Sequence, residues 1–172
     1  MLFRSIKVRP VRPEDANLEQ EFTRAMSDES RFFRFMDNIR ELPPSLLVRF
    51  TQIDYDREMA FIATIEENDE EVEIGVCRYA VNPDGESCEF AIVVAEDWQH
   101  RGLARRLMGV LIETARNRGL HAMTGIFLSN NERMLKFVQS LGFVLSNDPE
   151  DNTVKHGILL LPNAKFEMSD FS

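Results

Sequence analysis

The stretch FAIVVAEDWQHRGLARRLMGVLIETARNRG, residues 90–119, decides how the rest of the chain is read. Phe90 to Ala95 is a continuous apolar run of strand length. Beyond it, Leu103, Leu107, Val110, Leu111 and Thr114 recur at helical spacing and predict an amphipathic helix. Between the two lies a short turn of Gln99, His100, Arg101 and Gly102, with Ala104 just inside the helix. A strand that enters a helix through such a turn aims several backbone N–H groups in one direction. The first four amides of a helix have no partner inside it, and the helix dipole adds partial positive charge there. Such an end suits an anion, phosphate above all. Arg101, Arg105 and Arg106 crowd the same place, where cations oppose the dipole. Three readings of them stand open: they point into water, they pair with Glu96 and Asp97, or they meet an external anion.

Working outward, Glu89 to Val94 is the third strand of a meander. Met59 to Ile65 and Glu73 to Val81 precede it, joined by an acidic turn over Glu66 to Glu71. Further back, Ile6 to Pro10 reads as a strand, and Asp15 as the N-cap of a helix with Leu18, Phe22 and Met26 on its apolar face. Ser27 to Phe35 predicts a second helix, whose Phe32, Phe33 and Phe35 supply a core or a cleft wall, and Pro43-Pro44-Ser45 begins another. Downstream, Ala122 to Leu128 is a buried strand. Ser129 to Glu132 forms a capping box for a helix that Gly142 stops. Phe143 to Ser146 and His156 to Leu161 close the fold around a polar loop, and Pro162 to Ser172 carries no clear pattern. The order β–α–α–β–β–β–α–β–α–β–β predicts an α/β domain, residues 1–172, with a mixed sheet and helices on both faces.

Composition narrows the function. A net charge of −9 argues against nucleic acid as a partner and suits a basic acceptor. No apolar run approaches the ~20 residues of a membrane span, which makes the cytoplasm the expected location and excludes a membrane partner. The histidines at 100, 121 and 156 have no metal-ligand spacing, so no metal is expected. Cys77 and Cys88 flank a hairpin turn, Asn82-Pro83-Asp84-Gly85. That turn sets Cys77 opposite Ala91 and Cys88 opposite Ala80, on opposite faces of the sheet, which argues against a disulfide.

Gln99-His100-Arg101-Gly102-Leu103-Ala104 after an apolar strand resembles the acyl-CoA-binding motif of the GNAT N-acetyltransferase superfamily. Asn131-Glu132-Arg133-Met134 through Leu141-Gly142-Phe143 resembles a second family segment, and the element order extends the likeness over essentially the whole chain. The resemblance implies a mostly antiparallel sheet with a splayed strand pair at the acyl-CoA site. It implies acetyl-CoA as co-substrate, held by backbone groups of Ile92, Val93 and Val94, by Gln99, His100, Arg101, Gly102, Leu103, Ala104 and Arg105, and by Asn131. Many members carry a tyrosine where this chain has Val138, so the group that protonates the departing thiolate is missing here. Arg9 to Asp15, Arg31 to Phe35, Thr51 to Met59 and Glu89 are closest to the catalytic domain of bacterial protein-lysine acetyltransferases.

That subgroup implies a protein lysine as acceptor and Glu89 as general base; the sequence leaves monomer and homodimer both open. On an alternating strand Glu89 shares a face with Ala91 and Val93. Apolar surroundings there would raise its pKa toward neutrality. Amides near Val93 and Val94 would polarise the thioester carbonyl. Two rival readings are a small-amine acetyltransferase and an acyl-CoA-binding module without catalysis.

Overall fold

The computed structural model describes residues 5–161; Pro162 to Ser172, left without an expected structure above, lie outside the described residues. Seven strands form one sheet: β1 (Lys7–Pro10), β2 (Glu58–Glu67), β3 (Glu70–Val81), β4 (Ser87–Val94), β5 (Ala122–Leu128), β6 (Val144–Asn147) and β7 (Val154–Leu160). Their order is β1-β2-β3-β4-β5-β7-β6. Every neighbouring pair is antiparallel except β4–β5. The helices are α1 (Ala16–Ala25), α2 (Asp28–Phe35), α3 (Pro44–Thr51), α4 (Leu103–Asn117) and α5 (Glu132–Ser140). Three helices separate β1 from β2, where the element order read above has only two; the third is opened by Pro44 in its first turn, as the Pro43-Pro44-Ser45 segment predicts.

The sheet carries a core on each face. On one, α4 lays Leu103, Leu107, Met108, Leu111, Ile112 and Ala115 against Cys77, Phe90, Ile92 and Val94. This stripe is rotated slightly from the expected one, with Val110 and Thr114 at its margin. On the other face, Phe22 and Met26 from the first helical segment pack on Ala60, Ile62 and Val76. Deep burial of this many large apolar side chains, at about 25 cal/mol per Å² removed from water, drives the fold.

Three local expectations are corrected. The acidic turn between β2 and β3 shrinks to Asn68-Asp69, both left-handed (φ 53° and 63°), so the strands run on to Glu67 and Glu70. Asn and Asp tolerate this conformation, which closes a two-residue hairpin. Asp15 does not cap α1 with its side chain; it accepts two hydrogen bonds from Arg9, at 2.8 and 2.7 Å, and one from the Arg12 amide. The β3–β4 register differs by one residue from that expected, placing Cys77 opposite Ile92 and Cys88 opposite Val81. Both cysteines consequently face the α4 core. They stand four strand positions apart along the register, about 13 Å, too far for a bridge. Both thiols are free, and burial pushes each up to about 12.

Candidate active site

The parallel β4–β5 pair is the point around which the site forms. Its register runs only through Ser87–Ala122, Cys88–Met123 and Glu89–Thr124. Beyond Glu89 the two strands part. Phe90 packs against Phe127 and Phe143, with ring centroids 5.9 and 5.2 Å away. Gly125 makes the room, since a Cβ there would stand 2.5 Å from Phe127 and 2.7 Å from Phe90.

The splay frees backbone groups of β4. Ala95 donates to Ile74, and Ser87 accepts from Asn82, so odd-numbered residues of β4 turn their hydrogen-bonding groups toward β3. The amides of Ile92 and Val94 therefore face the gap, while Val93 is committed to its ladder partner Val76. The Val94 carbonyl is already used: it accepts from Gln99 Nε2 at 3.1 Å. Gln99 Oε1 accepts in turn from Arg133 Nη1 of α5 at 2.6 Å. The Gln99 side chain thus ties the end of β4 to the helix across the gap and fixes the turn between them.

After Gln99 the chain passes through His100 (φ 62°) and Gly102 (φ 83°), both left-handed, and Gly102 caps α4. A non-glycine residue held at positive φ stores strain of the kind found at binding turns. The amides of residues 101–105 have no protein acceptor among the described residues, and they open α4 at its positive end. Of the three arginine readings, pairing with Glu96 or Asp97 is not what is found. Arg101 lies over the Trp98 ring at 5.0 Å and Arg105 donates to Ser140 Oγ at 3.2 Å. Glu96 instead accepts from the Ser27 amide and the Ser30 hydroxyl, linking the turn to α2.

Across the gap, Asn131 is the N-cap of α5, its Oδ1 accepting from the Met134 amide at 3.4 Å. The expected capping box from Ser129 is absent, because the Ser129 hydroxyl donates to the Asn152 carbonyl. Val138 is fully buried in the α4 core.

On the opposite face of β4 lies a cleft of about 610 Å³. Glu89 and Ala91 form part of its floor, and Phe35, Phe50, Arg34 and Arg78 part of its wall. Glu89 is solvent-exposed here, not enclosed by apolar groups as expected, and its side chain makes no hydrogen bond among the described residues. Neither arginine was singled out as a site residue in the sequence. Arg78, a cation inside the apolar run of β3, was the signal that could have pointed to this cleft.

The profile of the acetyltransferase (GNAT) family matches residues 21–143. The chain belongs to this family. The acetyltransferase is 39% identical over 150 residues to "Acetyltransferase PA5475" of Pseudomonas aeruginosa, covering 87% of this chain and 81% of that protein. It is 28% identical over 138 residues to "Acetyltransferase Pat" of Mycolicibacterium smegmatis, covering 80% of this chain but only 40% of that longer protein. Among solved structures, the GNAT domain of S. lividans PAT superposes with a TM-score of 0.81 at 24% identity, covering 90% of each chain, a likeness of fold.

GNAT acetyltransferases use acetyl-CoA as co-substrate, and the observed geometry fits it. Unpartnered amides at the start of α4 suit a pyrophosphate, and the free strand edge suits the amide-bearing arm. Among the described residues no group of three or more His, Cys, Asp or Glu could hold a metal ion. No helix among them is long and apolar enough to cross a membrane.

Proposed function

We propose that this acetyltransferase transfers the acetyl group of acetyl-CoA directly to the ε-amine of a protein lysine, with Glu89 as general base. The observation that carries this reading is the position of Glu89. It is the last residue of β4 paired with β5, its backbone at the mouth of the splay and its carboxylate in the cleft. An amine in the cleft thus approaches a group lying along the splay from the opposite face of β4.

In this reading Ile92 and Val94 lend backbone groups to the bound arm, Val93 contributes its side chain to the cleft side, and Gln99 to Arg105 surround the pyrophosphate. Asn131 contributes from the start of α5. Lysine has an ordinary pKa near ~10.4, so the attacking amine must first lose a proton. Glu89 accepts it, directly or through one water. The amine lone pair forms the new C–N bond as the C–S bond breaks, and the amides of Ile92 and Val94 receive the charge that develops on the carbonyl oxygen. The departing thiolate takes a proton from water or from Glu89, since Val138 has none to give. Residues 5–161 sharing one continuous sheet supports reading the chain as a single acetyltransferase domain.

The test is incubation of the purified protein with labelled acetyl-CoA and a protein extract, beside a panel of polyamines and amino acids. Label on lysines of extract proteins, lost in Glu89→Gln, is expected. Label confined to small amines would replace the protein acceptor with a small one.

A further inference from the structure

Two guanidinium groups, Arg34 and Arg78, stand together in the cleft. Arg34, at the end of α2, makes no hydrogen bond and no ion pair among the described residues. It lies 5.3 Å from the centroid of the Phe50 ring, and Arg78 lies 4.1 Å from the same ring. Arg78 donates to the Phe50 carbonyl at 3.1 Å, and its one carboxylate contact is long, 3.7 Å to Glu19. Two like charges gathered over one aromatic ring repel each other and resist desolvation. Burial first, and then Arg78, push Arg34 down to about 10, which leaves it charged at neutral pH.

The nearby acids match this charge only in part. Glu73 is buried, and neither of its oxygens has a donor among the described residues. Burial, and then the neighbouring Glu19 carboxylate, raise its pKa well above the ordinary value, which opposes its ionisation. Arg34 feels the Glu19 and Glu89 carboxylates, neither of them hydrogen-bonded to it, and Asp37 and Glu58 stand elsewhere on the cleft lining. Glu89 stands on the same sheet face but serves the amine in the proposed reaction. Ala80 is its partner across the β3–β4 ladder, which makes Arg78 its diagonal neighbour, about 7–8 Å away at the backbone. The cleft therefore sets the Glu89 carboxylate at the mouth of the splay beside the Arg34–Arg78 pair, with Asp37, Glu58 and Arg49 also on its lining.

We infer that Arg34 and Arg78 form a carboxylate-binding subsite, so that the preferred acceptor carries a carboxylate close to the amine that is acetylated. The carboxylate can be an acceptor's own, as in a free amino acid, or that of an acidic residue flanking a lysine. A guanidinium fork matches a carboxylate in shape and charge. The same pair repels polycations, which sets polyamines at a disadvantage. The inference rests on the reading of the cleft as the acceptor site.

The test uses matched pairs that differ only in this charge: methionine and methioninamide, Nα-acetyl-lysine and its amide, and a lysine peptide flanked by Asp or by Asn. Binding to the CoA-saturated protein is measured by calorimetry, and acetyl transfer is measured separately. In at least one pair the carboxylate should bind about ten- to a hundredfold more tightly, as expected of a charge-assisted pair. Arg34→Gln should reduce that ratio to about twofold, and Arg34→Lys should restore part of it. Since Arg34 holds no hydrogen bond, the Gln variant should melt with the parent. Equal binding within every pair, including no binding by any member, overturns the subsite, as does a preference that survives in Arg34→Gln. Acetyl transfer without carboxylate preference would leave the acceptor cleft standing and remove the subsite. Carboxylate preference without transfer would keep the subsite and remove the proposed reaction.

Discussion

Replacing Glu89 by Gln isolates proton removal from every other contribution to the reaction. The side chain is exposed and makes no hydrogen bond among the described residues, so the change takes nothing from the fold. Its backbone stays paired with Ala80 and Thr124, and the turn that would hold CoA is built from later residues. The loss can be sized from the acceptor. With an amine pKa near ~10.4, about one molecule in 2,500 is neutral at pH 7 and about one in 25 at pH 9. An enzyme deprived of its base depends on that fraction, so the loss at pH 7 should lie near 10³, within the ~10²–10⁴ usual for a general base. The Arg34 and Arg78 guanidiniums disfavour a protonated amine beside them. They lower the bound amine's pKa and bring the loss below that ceiling. The assay is initial-rate acetyl transfer from pH 6.5 to 10, with CoA affinity measured in parallel. The Gln variant should keep its affinity, and its rate should climb about tenfold per pH unit until the amine titrates. A variant within a few-fold of the parent at pH 7, or one whose deficit does not shrink with pH, would refute the role.

Gly102→Val meets nothing within 4 Å of its new Cβ, so the cost is the left-handed backbone, ~1–2 kcal/mol, and the protein should remain folded. Relief of that strain turns the amides at the start of α4, and loss of one charged hydrogen bond weakens CoA binding about ten- to a hundredfold; unchanged calorimetric affinity would remove the turn from the site. Val138→Tyr inserts a ring into a filled core and should cost ~1–3 kcal/mol in thermal melts. Higher turnover at an unchanged melting temperature would show instead that the hydroxyl reaches the splay. Glu73→Gln should stabilise the protein at neutral pH. The folded state raises the Glu73 pKa, so Glu73 contributes most below its ordinary range and loses that contribution as pH rises through the folded value. The advantage of Gln should therefore grow from pH 4 to pH 8, and a constant difference across that range would contradict the buried-acid account.

Contiguous sequence determined the strand–turn–helix of residues 90–119, the open amides at the start of α4, and the shared face of Glu89, Ala91 and Val93. These depend on periods of 2 and 3.6 residues and on turn chemistry, all contained within a short window. The family motifs lie in the same kind of window, which is why they were legible. Tertiary structure decided what depends on register and on distant partners. One residue of register moved Cys77 and Cys88 onto the same face, because the hairpin loop places Asn82 opposite Ser87 and leaves an even number of residues between them. Gln99 looked like a ligand group, but only the packing of α5 shows its side chain bound to Val94 and Arg133. Val138 marked a missing hydroxyl in the sequence and proved to be buried core. Arg34 and Arg78 come from a helix end and a strand far apart in the chain. Their closeness over the Phe50 ring, with the buried Glu73 behind them, arises only when α2 and α3 close on the sheet, and no local pattern encodes an electrostatic sum over three elements.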